Sequence, residues 1–592
     1  MQIRQIAIKG FRGIKDLTWN VADPFVCLVG PGDSTKTTIL EAVERTLSNR
    51  WNIPFDDSDF YQANTDSPIE ISVTVGQLST ELITDSKFGL YIRGWDTVSG
   101  LVDEPDDDYE KVLTVKLTVD KSLEPHWAVV NARDLDGKAI SSKERELFGT
   151  QRLGSEIERH LGWGKGSLLS KITGKLSVPG IMAEAGRQAR NALSPATLPS
   201  KLAEVANSAR TWASGAGVTY TDSYHPKLDL GAINIGLGCI TLHHGDVPLR
   251  NSGFGSRRLF TIALQKESAK QGGITLIDEV EHGLEPHRIR NLLKYLKTEG
   301  TDACTSEEEQ VIPPLTCQVL MTSHSPVVLR ELHAKNIHIV RSNAGNTQIV
   351  QIPADLQEIV RRAPEAFLGK KLIVCEGRTE AGLCRGLDFG WAYKQKIPFP
   401  SFALRGVVPV TTSSGDGSVT PKRAKALKEL GFKTALFIDS DNPSIQSDIE
   451  EAVAAGVHLI QWEGCNSTEE RIINDLPFEG VLKVVDYAID LVGIEAVSRI
   501  NTRLKAQGID VILPDEPSQW PSLGIEEFRL RQAIANAAKG SSKKGDKGWF
   551  KNIEPGEELA QIVLTYLPSI PDTDLHHKVI AIRAWVDEGE PS

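Results

Sequence analysis

One stretch constrains the fold more than any other: the apolar run Phe25-Val26-Cys27-Leu28-Val29, the loop GPGDSTKTT, and the segment ILEAVERTL. The run Pro24 to Val29 reads as a buried strand. After the loop, Ile39, Leu40, Val43 and Leu47 fall on one helical face. Strand, glycine-containing loop and helix form the setting in which backbone N–H groups and a helix N-terminus cradle phosphate. Against the pattern G-x-x-x-x-G-K-[ST], Gly30 fills the first position and Lys36 and Thr37 the last two, but Thr35 replaces the second glycine. Lys36 can reach β- and γ-phosphates and Thr37 can ligand magnesium, with Gly30, Gly32 and Thr38 completing the candidate site. Glycine accepts positive φ freely, and a β-branched residue does so only with strain. Either Gly32 supplies the flexibility on a different path, or nucleotide binding and turnover are weakened. The expectation is ATP bound and slowly hydrolysed.

A chain of 592 residues is too long for one core, and three or four domain-sized units are expected. A net charge of −12 argues against a general polyanion-coating protein, while leaving room for a local basic groove or for metal ions that meet nucleic acid. The seven cysteines, at 27, 239, 304, 317, 375, 384 and 465, form no CxxC pair and read as buried reduced thiols. The start MQIRQIAIKGF alternates like a strand and lacks a signal peptide's apolar region. No apolar run approaches the ~18 residues of a membrane helix. A cytoplasmic, membrane-free protein is expected.

Alternating strands and helices fill 1–150, with short strands between 68 and 130. Residues 151–225 turn helical and Ala/Ser-rich, as an insertion or dimerisation arm would. The α/β alternation resumes over 226–360, interrupted by a polar loop at 298–314, and a second α/β region occupies 366–592. No internal repeat is visible, and only KGSSKKGDKG, 539–548, is compositionally biased.

Four further strings accompany the loop. GGITLIDEVEHG brings an apolar strand to Asp278 and Glu279, where one acid can hold the magnesium's water shell and the next can polarise an attacking water. NSGFGSRRLFTIAL, just before it, sets Ser252 and Gly253 at a helix start, although an ordinary glycine-capped turn reads the same way. VLMTSHSP carries His324 just after a strand, and IKGFRGI carries Arg12, a candidate basic residue near the nucleotide. Gln62 is a candidate coupling glutamine or simply a surface side chain. In this order, loop, signature, acidic strand and histidine resemble an ABC-type ATPase head of the SMC, RecF and OLD kind, over residues 1 to about 350. The resemblance implies ATP with Mg²⁺, sandwiched in a dimer whose second copy offers Ser252 and Gly253 to the γ-phosphate, with His324 as the switch histidine.

A second acidic constellation follows. LIVCEGRTEAGLC ends an apolar strand at Glu376, and TALFIDSDNP ends another at Asp439 and Asp441. Carboxylates gathered at one sheet edge repel unless hard cations neutralise them, so Mg²⁺ or Mn²⁺ is expected. Glu380, four residues past Glu376, can point at the same site. The pairing of E-G-x-T-E with I-D-S-D resembles a TOPRIM domain.

Head and TOPRIM region in one chain resemble the OLD (overcoming lysogenisation defect) nucleases, a group that includes the Gabija nuclease subunit and retron-associated effectors. That resemblance adds a further metal-binding glutamate, best matched by Glu469 with Glu470 as the neighbouring choice. It also adds a catalytic lysine in KKGDKGWFK, first Lys547 and second Lys544, to stabilise the negative charge of a phosphorane-like transition state, although a basic loop touching DNA phosphates reads the same way. It implies an ATP-regulated, divalent-metal-dependent DNA endonuclease or nickase in anti-phage defence. It also implies homo-oligomers and a co-encoded partner, either helicase-like or a reverse transcriptase with its RNA–DNA product. The alternative is a non-catalytic, RecF-like sensing ATPase whose TOPRIM is a scaffold. A topoisomerase would need a DNA-gate domain, and none follows.

Overall fold

A computed structural model describes residues 1–84, 87–104, 108–153, 157–164, 166–174, 179–192, 199–218, 239–269, 273–297, 317–394, 400–411, 417–540 and 547–588. The loop 298–314, residues 219–225 of the insertion, and Lys544 lie outside this set.

Fourteen strands form one mixed sheet. Its parallel part runs Gln151–Leu153, Ile274–Ile277, Gln318–Thr322, Phe25–Val29, Ile337–Asn343. These short strands are buried on both faces, which is why they read as unbroken apolar runs rather than alternating ones. Beyond Asn346–Gln351 the sheet becomes antiparallel through Ile14–Asn20, Gln2–Phe11, Ile69–Gly76 and Glu110–Val119. There one face is less buried and the alternation shows. The carboxyl ends of Phe25–Val29, Ile274–Ile277 and Gln318–Thr322 deliver Gly30, Asp278 and His324 to one edge, where open α/β sheets bind ligands.

The boundary expected at 150 moves. Gln151–Leu153 pairs with Ile274–Ile277 inside this sheet, and Leu153 is buried in its core. Helical character begins after it, at Leu168–Thr173, Pro179–Ala192 and Ser200–Gly215.

The second unit is built on a four-stranded parallel sheet in the order Val407–Thr411, Lys371–Cys375, Lys433–Ile438, His458–Gln461. Helix Arg378–Phe389 packs on helix Ile553–Tyr566 through glycines. A Cβ on Gly382 would collide with the Ile553 carbonyl, and one on Gly556 would lie 2.6 Å from the Thr379 carbonyl oxygen. That close approach holds the helix carrying Glu380 against its neighbour. One continuous apolar cluster contains Cys27, Val29 and Met321 of the first sheet together with Leu372, Val374 and Leu436 of the second.

Among the described cysteines, Cys27, Cys317, Cys375 and Cys384 are buried reduced thiols as expected, while the thiols Cys239 and Cys465 are exposed. No described helix is long and apolar enough to cross a membrane.

Candidate functional sites

The loop from Gly30 leads directly into helix Lys36–Leu47, whose buried face is Ile39, Leu40, Val43 and Leu47. Thr35 adopts φ +66°, ψ 12°, the left-handed conformation a glycine would take, and Asp33 is left-handed too. Gly32 is not among the positive-φ residues, so the strain sits on Thr35 itself and the alternative path through Gly32 is not used. The Thr35 hydroxyl donates to the Ser34 carbonyl at 2.6 Å. Lys36 folds back over the loop, its ammonium donating to the carbonyls of Gly30 (3.1 Å) and Pro31 (2.8 Å) and to Ser34 Oγ (2.9 Å). Burial lowers its pKa to about 8, against the pull of Asp278 and Asp33. Thr38 is half-buried in the helix's first turn.

Asp278 is the hub of this site. Its Oδ1 accepts from Thr322 Oγ1 (2.6 Å) and Thr37 Oγ1 (3.1 Å), and its Oδ2 accepts from Arg152 Nη2 (3.0 Å). Thr37 and Asp278 are thus already side by side, as shared magnesium ligands must be. Glu279 is exposed at φ +46° and pairs with His282 at 3.0 Å. Arg258, on the helix after Ser252 and Gly253, donates to the carbonyls of Asp278 (2.5 Å) and Glu279 (2.7 Å). Ser252 is half-buried and Gly253 exposed. His324 is exposed, and its backbone N–H donates to Glu281 Oε1 at 2.6 Å. Burial and then Lys36 lower its pKa. Arg12 pairs with Glu41 (2.6 Å) and Asp59 (2.8 Å), so its charge is spent on bracing the loop helix. Gln62 is exposed and left-handed, its amide 3.5 Å from the Tyr61 hydroxyl. Sequence reasoning missed Arg152 and Arg258, because nothing local marks an arginine whose partners lie 126 and 20 residues away.

The second constellation is drawn together at the carboxyl ends of Lys371–Cys375 and Lys433–Ile438. Glu376 Oε2 accepts from the Asp439 backbone N–H at 2.9 Å, and Asp439 Oδ1 accepts from Thr468 N and Oγ1, both at 2.9 Å. Thr468 opens the helix carrying Glu469 and Glu470, and Ser467 caps it with Glu470. Glu380 caps its own helix, accepting from Gly377 N at 2.8 Å. Burial, and then Glu469, raises its pKa to about 7. Asp439 is pushed well up by burial, Glu380 and Glu376, and Glu376 is raised mainly by burial.

Two lysines enter this cluster. Lys551 pairs with Glu469 at 2.8 Å, and Lys539 bridges Asp441 (2.8 Å) and Glu470 (2.9 Å). Glu469 Oε2 is buried with no hydrogen-bond partner. Lys547 is exposed; its backbone bridges to Gly540 and its carbonyl accepts from Arg499. Among the described residues, no three acidic, histidine or cysteine side chains converge as a ready-made ligand set for a metal.

The loop, the Thr37–Asp278 pair and Glu279 at one sheet edge define a nucleotide-binding ATPase domain. Residues 1–152 match the family described as "AAA ATPase domain", and residues 237–330 match "AAA domain, putative AbiEii toxin, Type IV TA system". The chain is thus similar to AAA-type ATPase domains on both sides of its helical insertion. No curated protein matches it. Similar solved structures include an Smc head bound to the C-terminal winged-helix domain of ScpA (14% identity, 60% of this chain and 99% of that chain, TM-score 0.33). Others are the Pyrococcus furiosus Smc head with an extended coiled coil bound to the ScpA C-terminal domain (12%, 60% and 96%, 0.33) and the Thermotoga maritima SMC head (12%, 60% and 100%, 0.26).

Proposed function

We propose that this chain is an ATP-regulated, divalent-metal-dependent DNA endonuclease or nickase of the OLD type, acting in anti-phage defence. The observation that carries the reading is Glu469 Oε2, buried and unpartnered, near Glu376, Glu380, Asp439 and Asp441, acids close enough to act on one another's titration without forming a ready-made ligand set. The donor set fits hard cations: it is all oxygen, and burial followed by neighbouring acids raises the pKa of Glu376, Glu380 and Asp439, the condition a divalent ion relieves. These five carboxylates are the groups to hold Mg²⁺ or Mn²⁺. When bound, such ions supply an activated water and charge to balance the leaving 3′-oxygen.

The chain's own cations act beside them. Lys551 and Lys539 hold positive charge at the carboxylates, where negative charge grows on a phosphorane-like transition state. Lys547, on its exposed bridge, is positioned to meet DNA phosphate. In the head, ATP with Mg²⁺ takes the Gly30–Thr38 loop, and a second copy offers Ser252 and Gly253. The strained Thr35 favours a sensor over a motor. The match to a family described by a toxin–antitoxin system is in keeping with defence, with a co-encoded helicase-like protein or reverse transcriptase as partner.

One observation favours a second reading, a non-catalytic sensing ATPase: Lys539 and Lys551 already pair with two of the five acids, Asp441 and Glu469, and with the neighbouring Glu470. A plasmid assay decides. Full-length protein with Mg²⁺ or Mn²⁺ is expected to nick or linearise supercoiled DNA, and Asp439→Ala with Asp441→Ala to abolish this. Equal cutting by the variant removes the site, and an inert wild type favours the sensing reading.

A further inference from the structure

A cavity of about 640 Å³ lies beside the C-terminal half of helix Lys36–Leu47, walled by Glu44 and Ser48 on one side and by helix Leu168–Thr173 on the other. It is separate from the phosphate loop, since no residue from Gly30 to Thr38 lines it. Its size is that of small-molecule sites, roughly 300–1,000 Å³.

The charge around it is lopsided. Arg50, Arg159 and Lys171 face the cavity with Glu146 as the opposing acid, because Glu44 is already bonded to Arg152 at 3.2 Å. Cations crowded round a partly enclosed space repel one another unless an anion joins them. Their effect is visible on His160, a buried ring whose pKa is lowered to about 4 by burial and then by Arg159, Lys171 and Arg50. It is visible again on Lys171, lowered by burial against Glu146, with Arg159 and Arg50 adding to the shift. At the wall, the Thr150 hydroxyl and Arg152 Nε are buried without a hydrogen-bond partner. Both can donate, so two donors at the wall await an acceptor, beside the charges of Arg50 and Lys171. Trp51, 80% exposed, offers its ring at the rim.

We propose that this cavity is a second anion site that takes a small phosphate-bearing molecule, with Trp51 free to stack any planar group the molecule carries. The chemistry follows from the donors: phosphate oxygens accept only, and guanidinium groups match them in pairs. Arg152 links the cavity to the nucleotide site, because the same guanidinium that lines it is bonded to Asp278 at 3.0 Å. A phosphate at this wall competes with Asp278 and Glu44 for Arg152, so occupancy is felt at the magnesium-binding edge.

The test is calorimetric titration of the full-length Lys36→Ala chain, which disables the phosphate loop, with pyrophosphate and separately with AMP. Saturable binding of either probe is expected, weakened at least tenfold by Arg50→Glu with Lys171→Glu. Both substituted residues are exposed, and an unchanged thermal melt verifies the fold. Binding of pyrophosphate alone identifies an inorganic ligand. Tighter binding of AMP, lost on Trp51→Ala, identifies a nucleotide. Either supports the site. No binding of either probe, or binding that the double charge reversal leaves unchanged, overturns it.

Discussion

The ammonium of Lys551 lies 2.8 Å from Oε1 of Glu469, while the other oxygen of that carboxylate is buried with no hydrogen-bond partner. Half of a buried charge is thus satisfied by the chain, and half is left for something else. Lys551→Met is expected to strand Glu469 and to lower unfolding free energy by about 1.5–3 kcal/mol, the range for hydrogen bonds to charged groups. Lys547→Met, at an exposed site, should stay within about 0.5 kcal/mol. Adding Glu469→Gln to Lys551→Met should recover part of the loss, measured by urea denaturation as a double-mutant cycle. The same pair of lysine variants in the plasmid assay tells which lysine serves cleavage.

Thr35 is held left-handed where the common phosphate-loop pattern has glycine. Thr35→Gly relieves that strain and should raise stability by about 1 kcal/mol even though glycine loosens the unfolded chain. It should also quicken phosphate release from ATP. A rapid wild-type ATPase, unaltered by the substitution, would show that the strain has no bearing on turnover.

In the head, Lys36→Ala should abolish ATP binding in a titration, since it removes the one ammonium folded over the loop. Glu279→Gln separates binding from chemistry. ATP should still bind, while hydrolysis falls by about 10²–10⁴-fold, the usual weight of a general base. Parallel loss of both would move Glu279 from the reaction to the architecture of the site.

His338 gives a prediction for acid stability. Its ring lies against Trp19 with centroids 5.7 Å apart, and burial lowers its pKa to about 4, against Asp23. An unfolded histidine titrates near 6.5, so between pH 6.5 and 4 the unfolded chain binds the extra proton. Stability from the neutral ring is present above pH 6.5 and is lost as pH falls. About 2 kcal/mol should go between pH 7.5 and 5. His338→Gln should flatten this part of the profile in denaturation at the two pH values, whatever its effect at pH 7.5.

What was legible in the sequence was whatever repeats locally. Phe25–Val29, Ile274–Ile277 and Lys433–Ile438 are mostly apolar because neighbours cover both faces, and each ends on the residues that matter. Acids at those ends could be found by reading along the chain. Their partners could not. Lys539 meets Asp441 and Glu470 from a helix 98 and 69 residues on, and Arg152 meets Asp278 from a three-residue strand. No local pattern encodes such encounters, which packing alone creates. The sequence raised the question of positive φ at Thr35 but left open a path through Gly32, since residue type alone does not tell which of the two carries the left-handed angle.

The apolar cluster running from Cys27 and Val29 to Leu372 and Val374 bears on how the gene can be cut. An expression boundary near residue 366, natural from the motifs, would divide this cluster, leaving Leu372, Val374 and Leu436 on one fragment and Cys27, Val29 and Met321 on the other, and would part Arg341 from the Phe432 ring. Each fragment would carry a greasy scar into solution and invite aggregation. The pieces to compare in the test tube are therefore whole chains differing by point substitutions, not the halves that the sequence seems to offer.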